Sequence, residues 1–154
     1  MTASGPGGAH EFLHPDEYRA WNALLKLQQT SLRALDAALR VRAGLSVSEF
    51  DVLITLYNAP EWRLGMTALA QSVAFSPSGL THLVTRLERS GLVERVVDPE
   101  DGRKFYTVLT GAGDDCLRAA RPVHNEVLRA VLLSHLGAGD RRALAELWER
   151  VREG

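Results

Sequence analysis

The chain has 154 residues, 24% of them charged, and a formal net charge of −1 at pH 7. That length suits one domain with a single sizeable core, able to bury roughly 70% of its unfolded surface. No apolar run reaches the ~18 residues of a membrane span, which implies a soluble protein with no membrane partner. Cys116 is the single cysteine, excluding an internal disulfide framework; with no basic and apolar leader at the start, it points to the cytoplasm.

The charge balance argues against a binder that holds nucleic acid by net charge alone. Residues 61–110 carry six basic side chains (Arg63, Arg86, Arg89, Arg95, Arg103, Lys104) and six acidic ones (Glu61, Glu88, Glu94, Asp98, Glu100, Asp101). Any contact with DNA must therefore come from where the charges are placed.

In chain order, residues 1–14 read as a flexible tail, with Gly5, Pro6, Gly7 and Gly8 and little apolar surface to bury. Pro15 fits the first position of a helix and Asp16 and Glu17 its first turn. Trp21, Leu24, Leu25, Leu32, Leu35 and Leu39 follow at helical spacing until Gly44. This first helix, about 28 residues and about 42 Å long at ~1.5 Å per residue, exceeds what one small lobe needs and is suited to bridging two lobes or packing on a partner chain. Ser46 and Glu49 form a capping box ahead of Phe50, Leu53, Ile54 and Tyr57, and Pro60 ends that second helix.

Thr67 is placed to cap a short third helix from Ala68 to about Val73, with Leu69 and Val73 inward. Only Ala74 and Phe75 separate it from a fourth helix over residues 76–91, with Ser76 as cap, Pro77 at the first position and Gly91 as stop. Two short helices joined this tightly make a helix-turn-helix pattern. Residues 92–97 and 104–109 then read as strands around the turn-rich loop Asp98-Pro-Glu-Asp-Gly102. Helical periodicity returns after Thr110, with Pro122 as a possible kink. A last helix from about Asp140 carries Leu144, Leu147, Trp148 and Val151 on one side.

Within the fourth helix, Leu80, Leu83, Val84 and Leu87 fall at i, i+3, i+4 and i+7 and face a core. The opposite face holds Ser78, Thr81, His82, Thr85, Arg86 and Arg89, with Gly79 lowering its N-terminal profile. Small hydroxyls allow close approach to a groove, and an arginine can pair with guanine O6 and N7. A plain solvated surface carries polar residues too. What separates the readings is context: the short preceding helix, the tight connection and the following hairpin favour double-stranded DNA as the partner, with Ser76 and the exposed face at base edges. Thr67, at a helix start, suits a phosphate. Arg103 and Lys104 at the hairpin tip suit either solvent or the adjacent minor groove, with Asp101 positioning the tip rather than meeting DNA.

These segments resemble the MarR family of bacterial transcription regulators. The most specific portions are residues 78–95, Asp98-Pro-Glu-Asp-Gly-Arg103 and Val108-Leu-Thr-Gly-Ala-Gly113, and the similarity runs from about Pro15 to Val151. The resemblance implies a mainly α fold with a small β-hairpin wing. A winged helix-turn-helix lobe would occupy about 46–110, and dimerisation helices about 15–43 and 111–153, all in one domain over 15–154. It further implies a homodimer on a palindromic operator, acting as a repressor with no cofactor and no enzymatic activity. A small aromatic or anionic effector would bind between the dimerisation region and the lobe and release DNA. Trp21, Tyr57 and Trp62 are candidates to line that pocket, although each better suits a core or interface position. The first-helix cysteine of peroxide-sensing members is missing, and Cys116 reads as a buried, inert thiol.

Two rival functions remain. A winged-helix module can serve protein contact alone, without DNA. His10-Glu-Phe-Leu-His14 matches the H-E-x-x-H zinc-hydrolase pattern, and His10 and His14 could hold an adventitious metal. That pattern needs both histidines one helical turn apart on a helix, and Pro15 biases His14 toward extended backbone.

Overall fold

The computed structural model describes residues 13–73 and 79–154. The elements run α1 (Pro15–Ala43), α2 (Val47–Asn58), β1 (Arg63–Gly65), α3 (Met66–Ser72), α4 (Leu80–Arg89), β2 (Val93–Val97), β3 (Phe105–Leu109), α5 (Gly111–Val131) and α6 (Ala138–Glu153). Single turns of 3₁₀ helix lie at Pro60–Trp62 and Leu133–His135. This is the winged helix fold, mainly helical with one small antiparallel sheet.

Helix α1 runs 29 residues to a left-handed Gly44, as its periodicity and the glycine predict. His14 begins it: its imidazole accepts from the Asp16 amide at 3.3 Å, while Glu17 accepts from the His14 amide at 2.7 Å. His14 thus sits in extended backbone (φ −56°, ψ 147°), outside the helix. The metalloprotease pattern fails on this point, because the helical turn that would align two histidines does not include His14; His10 and Glu11 lie outside the described residues. The expected capping box forms at α2, where Ser46 Oγ accepts from the Glu49 amide at 3.1 Å and Glu49 Oε2 accepts from the Ser46 amide at 2.8 Å. Asp36 of α1 adds a third tie by accepting from the Val47 amide at 2.9 Å.

The sheet has one strand more than the hairpin predicted from sequence. β1 pairs with β3 (Arg63↔Val108, Gly65↔Tyr106), and β3 pairs with β2 (Val93↔Leu109, Val97↔Phe105), giving the order β1-β3-β2. Glu61 and Trp62 turn the chain into β1 with positive φ of 53° and 56°. The core lies between these layers: Leu39 of α1, Leu53 and Leu56 of α2, Leu69 of α3, Val84 and Leu87 of α4 and Leu117 of α5 are essentially out of solvent.

Helix α5 packs along α1, and Arg42 at the end of α1 forks onto Glu126 of α5 at 3.0 and 2.8 Å. The start of α5 is pinned beneath the lobe. Thr110 Oγ1 accepts from the Gly113 amide at 3.0 Å and donates to the Gly91 carbonyl at 2.6 Å. A Cβ at Gly113 would stand 2.1 Å from the Leu92 carbonyl oxygen, so only glycine fits there. Pro122 is carried inside α5 without ending it. Helix α6 begins at Ala138, two residues before the predicted start, and buries none of its side chains against the chain.

Candidate nucleic-acid interface

Helix α4 buries Leu80, Leu83, Val84 and Leu87, as their spacing requires, and exposes Thr81, His82, Arg86 and Arg89; Thr85 is half-buried. Its N-terminus differs from the expected one. Gly79 is left-handed at φ 86° and stands as the N-cap, so the helix starts at Leu80 and Gly79 is not within it. The expected cap and first-turn residues Ser76, Pro77 and Ser78 lie outside the described residues. At the other end Gly91 is left-handed at φ 72°, the stop read from sequence.

Thr67 is not a cap either. Helix α3 begins one residue earlier, at Met66, with Gly65 as N-cap and no side-chain cap bond. The Met66 sulfur accepts from the buried Thr107 hydroxyl at 3.4 Å, a contact between the first residue of α3 and β3. Thr67 is left exposed in the first turn. It shares an open cleft of about 580 Å³ with Asp98, Arg103, Lys104, Phe105 and Tyr106, so the structure brings three of the expected contact residues, Thr67, Arg103 and Lys104, to one place.

The wing tip is shaped by its own carboxylates. Asp101 Oδ1 accepts from the Arg103 amide at 3.1 Å, its carbonyl accepts from the Lys104 amide at 2.9 Å, and its Oδ2 lies 3.5 Å from Lys104 Nζ. Asp98 accepts from the Glu100 amide at 2.8 Å, and this bond first, with the Tyr106 hydroxyl and Lys104 behind it, holds the Asp98 carboxyl below its ordinary range. The Asp98 charge in turn pushes the Tyr106 phenol up. The Arg63 guanidinium sits 4.9 Å over the Tyr106 ring and pairs with Glu61.

Two contacts on α4 were not legible in the sequence. Arg86 Nη2 lies 3.4 Å from Glu49 Oε1, so the arginine expected to read bases faces a carboxylate from α2. Arg95 of β2 reaches Glu88 at 2.8 Å and Thr85 Oγ1 at 2.9 Å, while Thr85 itself donates to the Thr81 carbonyl at 2.8 Å. Sequence reading counted Arg95 only as charge, since nothing local ties a strand arginine to a helix before it.

Tyr57 and Trp62 stack at 5.7 Å, with the Arg121 guanidinium 4.9 Å over the Tyr57 ring. Trp21 is exposed on α1, and the ring contacts among the described residues join Tyr57 to Trp62 and Phe50 to His124 rather than either pair to Trp21. Cys116 is half-buried rather than fully enclosed; desolvation, then the Glu49 charge, pushes its thiol up, away from the reactive thiolate. Among the described residues no group of three or more His, Cys, Asp or Glu side chains is disposed to hold a metal.

The model of the MarR family matches residues 43–104, from the end of α1 to the wing tip. The MarR family transcriptional regulator Sco3205 from Streptomyces coelicolor, solved in complex with DNA, is 30% identical, with a TM-score of 0.85 over 94% of this chain and 91% of that one. The chain belongs to the MarR family. AbsC, another MarR family regulator of Streptomyces coelicolor, superposes with a TM-score of 0.82 at 27% identity over 93% of this chain and 96% of that one. Among curated relatives, the transcriptional repressor YetL of Bacillus subtilis is 35% identical over 58% of this chain and 53% of its own length. The match to the uncharacterized regulator YdgJ of the same organism covers 71% of this chain and 65% of that relative at 28% identity. The chain thus spans about half to two thirds of the length of these curated relatives.

Proposed function

We propose that this MarR family chain is a sequence-specific DNA-binding transcription regulator that acts as a homodimer, most simply as a repressor on a palindromic operator. The observation that carries the reading is the exposed face of α4, with Thr81, His82, Arg86 and Arg89 over a fully apolar inner face, in the same lobe as a cleft that gathers Thr67, Arg103 and Lys104. Helix donors would enter the major groove while the wing arginine reaches the minor groove and Thr67 and Lys104 meet phosphate. Gly79, the N-cap of α4, would stand at the groove end of the helix, and Ser76 and Ser78 are proposed as further DNA contacts.

Charge placement explains how a chain of net −1 can do this. Glu88 is engaged by Arg95, and Glu49 by the Ser46 amide and hydroxyl, so these carboxylates keep partners within the protein when the 64% exposed Arg86 turns from Glu49 to DNA. Homodimerisation is supported by the apolar stripes of α1 and α6: Trp21, Leu24, Leu144, Leu147, Trp148 and Val151 are all about half exposed or more. Isolated chains rarely keep such contiguous apolar surface. Two lobes would then read half-sites about one helical turn apart.

Release by a small aromatic or anionic effector is a second element of the proposal. It is supported by the Tyr57–Trp62 stack with Arg121 over the tyrosine face, an aromatic and cationic cluster under the lobe. Duplex selection followed by affinity measurement tests the main reading. Arg86→Ala and Arg103→Ala should fold as the parent does and each lose about 1–3 kcal/mol of operator affinity. Parent-like binding by both variants would leave the module as a protein-contact domain.

A further inference from the structure

Arg95 leaves β2, the first strand of the wing, and lies across the flank of α4. Its Nη1 donates to Glu88 Oε2 at 2.8 Å, and its Nη2 donates to Thr85 Oγ1 at 2.9 Å and reaches the Thr81 carbonyl at 3.5 Å. Residues 81, 85 and 88 form a single stripe along two turns of the helix, so one planar guanidinium gathers acceptors from two successive turns of α4. Arg95 and Glu88 are both largely covered, at 28% and 36% side-chain exposure, unlike the open Arg86 at 64%. The pair is thus partly shielded from solvent screening in a way that an exposed pair is not.

From this geometry we infer that Arg95 is a positioning residue, which fixes the pitch of the recognition helix against the wing so that both meet DNA as one rigid body. The inference rests on the DNA-binding reading and adds to it an assignment for three residues. Arg95 is a strut rather than a phosphate contact. Glu88 is its anchor, which also removes an unpaired carboxylate from the helix flank. Thr85, whose hydroxyl already donates to the Thr81 carbonyl and accepts from Arg95, is a joint in the strut and not a base-reading donor. Lysine cannot replace Arg95, because a point charge on a flexible stem does not present the fixed fork of donors that meets Glu88 on one nitrogen and Thr85 on the other.

The test compares affinity for a selected operator with affinity for a scrambled duplex across a salt series, for the parent chain, Arg95→Met, Arg95→Lys, Thr85→Val and the double variant of Arg95→Met with Thr85→Val. Helicity and molecular mass confirm that each variant folds as the parent does. A strut predicts that Arg95→Met loses about ten- to hundredfold in operator affinity, keeps its affinity for the scrambled duplex, and keeps the slope of log K against log salt. Arg95→Lys should not rescue it. Thr85→Val, a milder change that retains shape, should lose a part of the same discrimination, and the double variant should lose no more than Arg95→Met alone. Equal loss on both duplexes with a slope smaller by about one makes Arg95 a phosphate contact and overturns the inference, as does additivity of the two substitutions. If the parent prefers no duplex, the DNA reading falls and the strut with it; if the parent is selective and Arg95→Met equally so, only the strut falls.

Discussion

In the winged lobe, Leu53, Leu56, Leu69 and Val84 are wholly removed from solvent, whereas α6 buries no side chain and leaves Leu147 at 46% and Trp148 at 61% exposure. Both regions carry apolar residues at helical spacing, so the periodicity alone does not separate them. The lobe satisfies most of its apolar faces internally, α4 against α2 and the sheet, and leaves large apolar side chains open only toward the wing tip, at Val96, Val97 and Phe105 among the described residues. The terminal helices present theirs outward. Periodicity states that a face must be covered and leaves open by which chain; the difference supports the proposed division, with the lobe for recognition and the terminal helices for association.

The sharpest way to break this comparison is at α6. A Leu147→Asp, Trp148→Asp chain should associate about a thousandfold more weakly, since each large side chain contributes about 1.5–3 kcal/mol when buried and an aspartate there adds a desolvation cost. Sedimentation at micromolar concentration should show single chains with a folded lobe, and operator affinity should fall with the loss of the second half-site. Next in size is a substitution where α5 meets the lobe. Gly113→Ala forces a Cβ to 2.1 Å from the Leu92 carbonyl and 2.7 Å from Leu109 Cδ1, and should cost about 3 kcal/mol in denaturant unfolding while α1 and α6 keep their sequence.

A smaller effect is expected where α2 begins. Ser46→Ala removes the acceptor for the Glu49 amide and should cost about 1 kcal/mol, read as a lower midpoint with an unchanged slope. The smallest is the pH response of the joint between the regions. The Arg40 side chain first, then the Val47 amide, holds the Asp36 carboxyl below its ordinary range. Because the folded-state value is depressed, the stabilisation is fully present at neutral pH and is lost as pH falls below about 4 through the folded value. Asp36→Asn should flatten that acid limb of the stability profile.

Much of this organisation was readable in the residues because it rests on local rules. The capping box at Ser46, the leucine spacing in α4, the glycine stops at 44 and 91 and the turn before Arg103 each follow from a few adjacent positions. What escaped depends on contacts between distant segments. Strand β1 is three residues long, too short for an alternation to register, and is entered through positive φ at Glu61 and Trp62, which no propensity favours. Thr67 has the chemistry of a cap, yet the helix follows directly on β1, whose last residue Gly65 takes the cap position and leaves Thr67 in the first turn. Gly79 was placed inside α4 because one glycine in a helical pattern is tolerated; its φ of 86° instead makes it the boundary. At the candidate interface the exposed face of α4 was legible, while the Glu49 contact to Arg86 and the Arg95 strut needed the fold to bring them together.

The central claim is that two lobes, each offering α4 and a wing, read one symmetric duplex. Sequencing of duplexes selected by the purified full-length protein tests it most directly. The account predicts an enriched palindrome with half-site centres about one helical turn, roughly 10 base pairs, apart. An enriched site without two-fold symmetry, or no enrichment over random DNA, would contradict it.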